Sequence, residues 1–256
     1  MQRFLDKETL LYIFCCRYAH MLRWSFTLVL LLCSPLAGAE VKLLTSIKPL
    51  QLIAAAVQDG IATPEVLLPP GVSPHNFVLR PSDVLRLQDA QLFYWIGPDM
   101  ETFLPRALQQ RTQSSVALQE LPGLQLRHFG QADASGDAQD TDGHDHIHRP
   151  GTLDAHLWLS PANAKVIATK MAAELAAVDP PNAVRYQANL QAFAQRLDAL
   201  DLRLRNQLAG IQGKPYFVFH ETYDYFEDAY GLEHAGVFSL GSEVQPGARR
   251  VAQMRT

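Results

Sequence analysis

The chain has 256 residues, 48% of them hydrophobic and 19% charged, which is typical of a folded globular protein with one large or two modest domains. Its formal net charge is −4, and the charge becomes more negative when the basic amino-terminal segment is left out. A negative charge argues against binding to nucleic acids or to anionic membranes. Any binding function is therefore expected to depend on a site made by individual side chains.

The first 39 residues predict a secretory signal peptide preceded by a short extension. A basic segment begins at Met21, and it is followed by the apolar run from Phe26 to Cys33 and by small residues ending at Ala39. This run is shorter than the roughly 20 residues needed to span a bilayer, which favours a signal peptide over the alternative of a retained membrane anchor. We expect Met21 to be the true start and cleavage to occur before Glu40.

Cysteine chemistry is not expected in the mature chain. Cys15, Cys16 and Cys33 all precede Glu40, so residues 40–256 predict neither a disulfide framework nor a thiolate metal site. A metal bound by this part of the chain would have to be held by histidine, aspartate or glutamate side chains.

From Glu40 onward, short apolar runs alternate with segments of helical periodicity, a pattern that predicts parallel βα units. The segment 69–76 is rich in proline and glycine and predicts a loop. In this first region the predicted strands are 41–45, 65–68 and 92–96, and the predicted helices are 49–59, one from Pro81 and one after Pro98.

Two longer helices are predicted next. The first begins at Ser160 and Pro161, which suit a capping position and a first turn, and it runs to about Val178. The second, 182–208, has apolar residues at spacings of three and four and would be about 40 Å long at 1.5 Å per residue. One small sheet does not need a helix of this length, so the helix is predicted to be a spacer that joins two lobes.

The rest of the chain predicts a second set of βα units, with strands at 216–219 and 235–238, a helix at 222–230 and another helix from about Pro246. Two strands form little core, so we expect the chain to be a fragment that lacks its carboxyl-terminal part. The predicted domains are the extension and signal peptide at 1–39, an amino-terminal α/β lobe at 40–180, the linking helix at 181–209 and the start of a carboxyl-terminal α/β lobe at 210–256.

Segment 130–151 interrupts the alternation, since it has scattered Asp, Gly and Ala and no apolar periodicity, which predicts a surface loop. Within it, His144, His146 and His148 alternate with other residues in an acidic context. Such a loop can bind a divalent cation, but with low affinity, because binding must order the segment. The alternative is a solvated loop whose histidines have no role.

Three other histidines share a position relative to the predicted elements. His75 lies in a loop after a strand, His156 lies just before a helix, and His220 lies at the end of a strand. In parallel α/β sheets, ligands bind outside the carboxyl ends of the strands. Neutral imidazoles suit Zn²⁺, whereas Mn²⁺ prefers more carboxylates. The alternative for each ring is a structural, hydrogen-bonded histidine, which is also how we interpret His128 and His234.

The sequence contains no motif for an activated serine nucleophile, a zinc protease or a nucleotide-phosphate loop. His220 and Glu221 resemble the start of a zinc-protease motif, but Asp224 occupies the position of the second histidine. The sequence therefore predicts a binding protein rather than an enzyme. A metallohydrolase stays open as an alternative, since a metal on three histidines with an open position can activate water.

Seven short segments span almost all of residues 40–256 and occur together in one family; they are 46–49, 67–69, 73–75, 79–83, 154–161, 217–220 and 243–247. With them the chain resembles the cluster A-I family of solute-binding proteins of ABC importers, and most closely its zinc-binding members. The resemblance implies two α/β lobes joined by a long rigid helix, with one metal ion in the cleft between the lobes.

The resemblance also implies a ligand set and a role. His75 and His156 would be the ligands from the first lobe and His220 the ligand from the second. Manganese-binding relatives tend to have Glu at the position of His220, so the chain resembles a zinc carrier, with a manganese carrier as the alternative. The implied role is that of a periplasmic, non-catalytic monomer that delivers Zn²⁺ to the membrane permease subunit of an ABC importer.

Two departures from the family concern the fourth ligand. Some zinc members have a glutamate directly before the first ligand histidine, where this chain has Pro74. The family also supplies an acidic residue from a late loop, which would lie beyond Thr256. The fourth ligand is therefore expected to be water or a residue outside this sequence. The histidine-rich loop resembles a feature of zinc members and is expected to collect zinc weakly or to sense occupancy.

Overall fold

The computed structural model describes residues 40–129 and 151–238. Several predicted features lie outside the described residues, namely the signal peptide at 1–39, the loop histidines His144, His146 and His148, and the helix from about Pro246.

A four-stranded parallel sheet lies at the centre of the amino-terminal region, with strand order β2-β1-β3-β4. The register places Leu44 opposite Glu65 on one side and opposite Phe93 on the other. Every residue of the central strands β1 and β3 is buried, which explains their nearly continuous apolar sequences. The strands are β1 Leu43–Thr45, β2 Glu65–Val66, β3 Leu92–Trp95 and β4 Ser114–Ala117.

Strand β4 is not predicted from the sequence. Ser114 and Ser115 are exposed and the next two residues are only partly buried, so no apolar run marks the strand. Its pairing with the buried strand β3, in which Leu92 lies opposite Ser114, stabilises it as a polar edge strand.

Helices pack around this sheet and begin where the sequence has proline. Proline occupies the first or second position of α1 to α4, where its missing N–H removes no helical hydrogen bond. Ser160 caps α4 by accepting a hydrogen bond from the backbone N–H of Asn163 at 3.3 Å. The helices are α1 Lys48–Val57, α2 Pro81–Asp89, α3 Leu104–Leu108, α4 Pro161–Val178 and α5 Ala183–Leu208.

The long helix α5 packs along α4 and α1. It has 26 residues and is therefore about 39 Å long. The side-chain amide of Asn189 in α5 donates to the carbonyl oxygens of Val57 and Asp59, each at 2.9 Å. These bonds fasten α5 to the carboxyl end of α1. Neither α5 nor any other helix within residues 40–129 and 151–238 is both long and apolar enough to cross a membrane.

A second parallel sheet follows α5. Strand β5 Phe217–Val218 pairs with β6 Gly236–Val237, and α6 Asp224–Tyr230 connects them. Gly231 ends α6 with a φ of 65°, in the left-handed region that favours glycine. The predicted fold class, an α/β protein with parallel sheets and a long helix between them, is confirmed.

Candidate metal centre

The loop that carries His75 leaves the first sheet at its carboxyl edge. Directly after β2, the backbone N–H groups of Leu67 and Leu68 donate to carbonyl oxygens on and after β1 at 2.8 and 3.0 Å, so the parallel pairing continues up to the prolines. The backbone N–H of His75 donates to Ser73 Oγ at 3.3 Å, and His75 is only 6% exposed. The histidine is thereby held among buried groups at the edge where ligands of such sheets bind.

His156 lies directly before the 3₁₀ turn Leu157–Leu159 that leads into α4, and it is 3% exposed. Asp154 Oδ1 accepts hydrogen bonds from His156 Nδ1 at 2.8 Å and from the His156 backbone N–H at 3.0 Å. Burial, and then the nearby His220 ring, lower the pKa of His156, so its contact with Asp154 is a hydrogen bond from a neutral ring rather than an ion pair. With the proton on Nδ1, Nε2 is the nitrogen that can bind a metal.

His220 lies two residues after β5, at the carboxyl end of the second sheet. Val218 of β5 is buried and pairs with Val237 of β6, which fixes the strand that carries the histidine. His220 itself is half-buried, and the Phe219 ring lies beside it at 6.4 Å between centroids. The second sheet thus presents His220 at the same kind of junction at which the first sheet presents His75.

The structure brings the three rings together. The centroids lie 5.6 Å apart for His75 and His156, 5.8 Å for His156 and His220, and 6.4 Å for His75 and His220. One ring nitrogen of each histidine lies within 4.8 Å of the other two. Tetrahedral nitrogens on one zinc ion, at about 2.0–2.1 Å each, lie roughly 3.4 Å apart. The nitrogens would therefore have to approach one another by at most about 1.4 Å to bind one ion.

The chemistry of this set favours a borderline divalent cation. It offers three imidazole nitrogens, and the carboxylate of Asp154 orients one of them instead of competing for the ion. Three nitrogen donors suit Zn²⁺ better than Mn²⁺, which prefers oxygen. This role of Asp154 is not predicted from the sequence. Its position two residues before a candidate ligand histidine is the feature of the sequence that could have indicated it.

A second group of potential ligands lies on and after α6. Asp224, Glu227 and His234 each offer an atom within 4.8 Å of the other two. His234 Nδ1 lies 2.8 and 3.0 Å from the two carboxylate oxygens of Glu227. His234, interpreted from the sequence as a structural residue, lies in this cluster, which adjoins the second sheet and shares no residue with the three-histidine set.

Nearly all of the described residues match one family. The sequence model of the family described as "Zinc-uptake complex component A periplasmic", ZnuA, covers residues 43–256. The chain belongs to this family. The high-affinity zinc uptake system protein ZnuA of Yersinia pestis is 41% identical over 237 residues, which cover 89% of this chain and 74% of that relative. The resemblance stated from the sequence motifs is thereby confirmed.

Solved structures agree on the fold of the ZnuA family. A crystal structure of ZnuA matches with a TM-score of 0.67 at 24% identity, covering 84% of this chain and 76% of that one. The periplasmic zinc-binding protein TroA from Treponema pallidum matches with a TM-score of 0.67 at 21% identity, covering 84% and 73%. Because the ZnuA family is one of uptake components, the prediction of a binding protein rather than an enzyme is confirmed.

Proposed function

We propose that this chain binds one Zn²⁺ ion with His75, His156 and His220 and delivers it to the membrane permease subunit of an ABC-type importer. The observation that carries the proposal is the approach of one nitrogen from each of the three rings to within 4.8 Å of the others. Family membership supports the cargo and the periplasm as its place, since the family is named for a periplasmic component of a zinc-uptake complex.

The burial of the ligands supports capture at low zinc concentration. His75 and His156 are nearly buried, and the Asp154 carboxylate fixes the ring of His156, so little side-chain entropy is lost when a metal binds. The low pKa of His156 keeps its imidazole neutral, so a metal ion does not compete with a proton for Nε2 at neutral pH. A fourth position on the ion is left for water or for a residue that is not among the three.

The proposed organisation has two lobes around this site. Residues 40–180 form the first lobe, 181–209 the linking helix and 210–256 the second lobe, with 1–39 as the extension and signal peptide. The packing of α5 along α4 and α1 supports a stiff connection, which permits only small movements of the lobes on binding. The protein would act as a monomer, docking on the permease with the ion enclosed.

The first test is a chelator-competition titration of the purified protein with Zn²⁺. We expect one tight site, and a loss of affinity greater than about 100-fold in each of His75→Ala, His156→Ala and His220→Ala, because removing a ligand costs more than removing a residue that only orients one. His128→Ala is the matched control, since His128 is exposed and outside the centre. It should keep the tight site.

The same titration separates the histidine-rich loop from the centre. We propose that segment 130–151 collects zinc weakly, so replacing His144, His146 and His148 together with Asn should remove weak binding and keep the tight site. Equal affinities for the unmodified protein and the three alanine variants would refute the three-histidine centre. Tighter binding of Mn²⁺ than of Zn²⁺ would instead identify a manganese carrier.

A further inference from the structure

The cluster of Asp224, Glu227 and His234 is built by the connection between β5 and β6. Asp224 and Glu227 are three residues apart on α6 and therefore share a face of the helix. After Gly231 the chain turns back, with the Leu232 N–H donating to Glu227 O at 3.0 Å. The Ala235 N–H then donates to Tyr216 O at 2.7 Å, which places His234 over the same helix face.

We propose that Asp224, Glu227 and His234 form a second divalent-cation site, separate from the three-histidine centre. Each residue offers one ligand atom, and the three atoms lie within 4.8 Å of one another. Both acids are buried, at 8% and 6% exposure, and the imidazole is partly buried. Buried carboxylates beside a histidine differ from the exposed acidic pairs that are common on helix surfaces, because burial removes the water that would otherwise solvate them.

Asp224 supplies an independent reason to place a cation here. Among the described residues, nothing donates a hydrogen bond to its buried Oδ1. Its Oδ2 lies 3.6 Å from Arg127 Nη2, which is longer than a charge-assisted hydrogen bond. Arg127 is also shared, because it forms an ion pair with Asp228. A buried carboxylate oxygen without a donor is costly, and a bound cation would offset that cost.

The local charge balance agrees with this reasoning. Asp154 and Glu227 place further negative charge near Asp224, and Arg127 supplies positive charge. A purely hydrogen-bonded network would explain Glu227, which accepts from Tyr216 Oη and contacts His234 Nδ1. It would not explain the orientation of Asp224 towards the same point.

The ligand types identify the class of cation. Two carboxylates and one imidazole suit a divalent transition metal such as Zn²⁺ or Mn²⁺, whereas Ca²⁺ and Mg²⁺ prefer oxygen ligands alone. The three-histidine centre offers only nitrogen, so the second site differs from it in donor chemistry and in charge. The two sites share no residue, and substitutions can therefore separate them whether or not the proposed delivery of zinc is correct.

The first experiment counts the Zn²⁺ ions bound by the purified full chain, using titration calorimetry. The background carries Asn in place of His144, His146 and His148, so that the loop contributes no imidazole. We expect this background protein to bind two ions of different affinity. A single ion in the background protein would overturn the proposal.

Matched variants then assign the weaker ion. Asp224→Asn combined with Glu227→Gln removes two buried negative charges, and Glu120→Gln combined with Glu233→Gln removes two exposed ones without changing the ion pairs of Arg127. We expect the first double variant to bind one ion and the second to bind two. If the first variant still binds two ions, the proposal is wrong. Retention of the tight site in that variant shows that its fold is intact.

A second measurement does not depend on any variant of the cluster. Crystals of the background protein grown with Zn²⁺ should show two anomalous peaks at the zinc edge, one among the three histidines and one at about 2.0–2.2 Å from ligand atoms of Asp224, Glu227 and His234. The second peak supports the site even if the double variant fails to fold. A peak at the three histidines without one at Glu227 and His234 overturns it.

Discussion

The two regions that supply the three histidines differ in how firmly they hold them. His75 and His156 lie on loops of a four-stranded sheet with a large apolar core and are 6% and 3% exposed. His220 follows a two-stranded sheet, and its neighbour Phe219 is 46% exposed. We infer that, in the proposed centre, the first region is the more rigid half and the second is the side that adjusts when an ion binds.

A buried carboxyl group connects the ends of two strands at the edge of the first sheet that carries the proposed site. Glu101 is fully buried and accepts hydrogen bonds from Ser46 Oγ at 2.5 Å and from the backbone N–H groups of Gly97 and Ile96 at 3.0 and 3.3 Å. These contacts join the residues that follow β1 and β3. Burial raises the pKa of Glu101 to about 7, since the hydrogen bonds to its ionised form compensate only in part.

The largest expected effect is a pH dependence of the unfolding free energy that Glu101 gives to the first region. The pKa of Glu101 is higher in the folded state than in the unfolded state. The carboxyl group therefore contributes stability at pH values below its unfolded-state pKa, and this contribution is lost as pH rises through about 7. Relative to Glu101→Gln, the zinc-free wild type should lose about 2–3 kcal/mol of unfolding free energy between about pH 5 and about pH 8.

Urea unfolding at the two pH values measures this difference. Glu120→Gln makes the same chemical change at an exposed position and should keep the wild-type slope. If Glu101→Gln also keeps that slope, Glu101 is ionised at both pH values and does not make the first region sensitive to pH.

The next largest effect should come from the contact that prepares His156 for metal. Asp154→Asn retains the shape of the side chain but removes the negative charge that accepts the Nδ1 proton, so Zn²⁺ affinity should fall by about 10–100-fold. Asp179→Asn is the control. Asp179 accepts a hydrogen bond from Tyr186 Oη of α5, and among the described residues it has no contact with the three histidines. Unchanged affinity in Asp154→Asn would mean that the negative charge of Asp154 is not needed to prepare His156, since the Asn oxygen can still accept from Nδ1.

Among the described residues, the sequence predicts every strand and α-helix of the two regions except strand β4. The buried strands β1 and β3 are short apolar runs, and proline marks the starts of α1 and α4, so both kinds of element are predictable from local pattern. Strand β4 is not, because Ser114 and Ser115 form a strand only through their pairing with β3. Local sequence pattern is sufficient to predict an element whose own residues are apolar and buried.

Tertiary contacts explain what the sequence does not reveal about the sites. The junction positions of His75, His156 and His220 are predictable, but their approach to one another depends on which loops the fold brings together, and only the family resemblance implied it. The cluster at Asp224 and Glu227 is hidden because two acids three residues apart on a helix are usually solvated. Their burial, and the return of His234 after Gly231, are properties of the fold.

The smallest expected effect concerns the joint between the two regions. Tyr225 lies in α6 of the second region, yet its hydroxyl group accepts from the Arg127 backbone N–H at 2.9 Å and donates to the Asp154 carbonyl oxygen at 3.0 Å. Tyr225→Phe retains the ring and removes both bonds. Unfolding free energy should fall by about 1–2 kcal/mol, because two hydrogen bonds are lost and each typically contributes about 0.5–1.5 kcal/mol net. Tyr223→Phe, at a 47% exposed position, should leave stability unchanged.

The zinc affinity of Tyr225→Phe tests whether the second region adjusts around the ion or is already fixed to the first region before metal binds. If the second region adjusts freely around the ion, the affinity should change less than in Asp154→Asn, because the bond between Asp154 and His156 remains. A loss as large as that of Asp154→Asn, measured by the same chelator competition, would mean that the two regions are already locked together through Asp154 before metal binds. The second region would then be as rigid as the first, and the contrast between them would come from exposure alone.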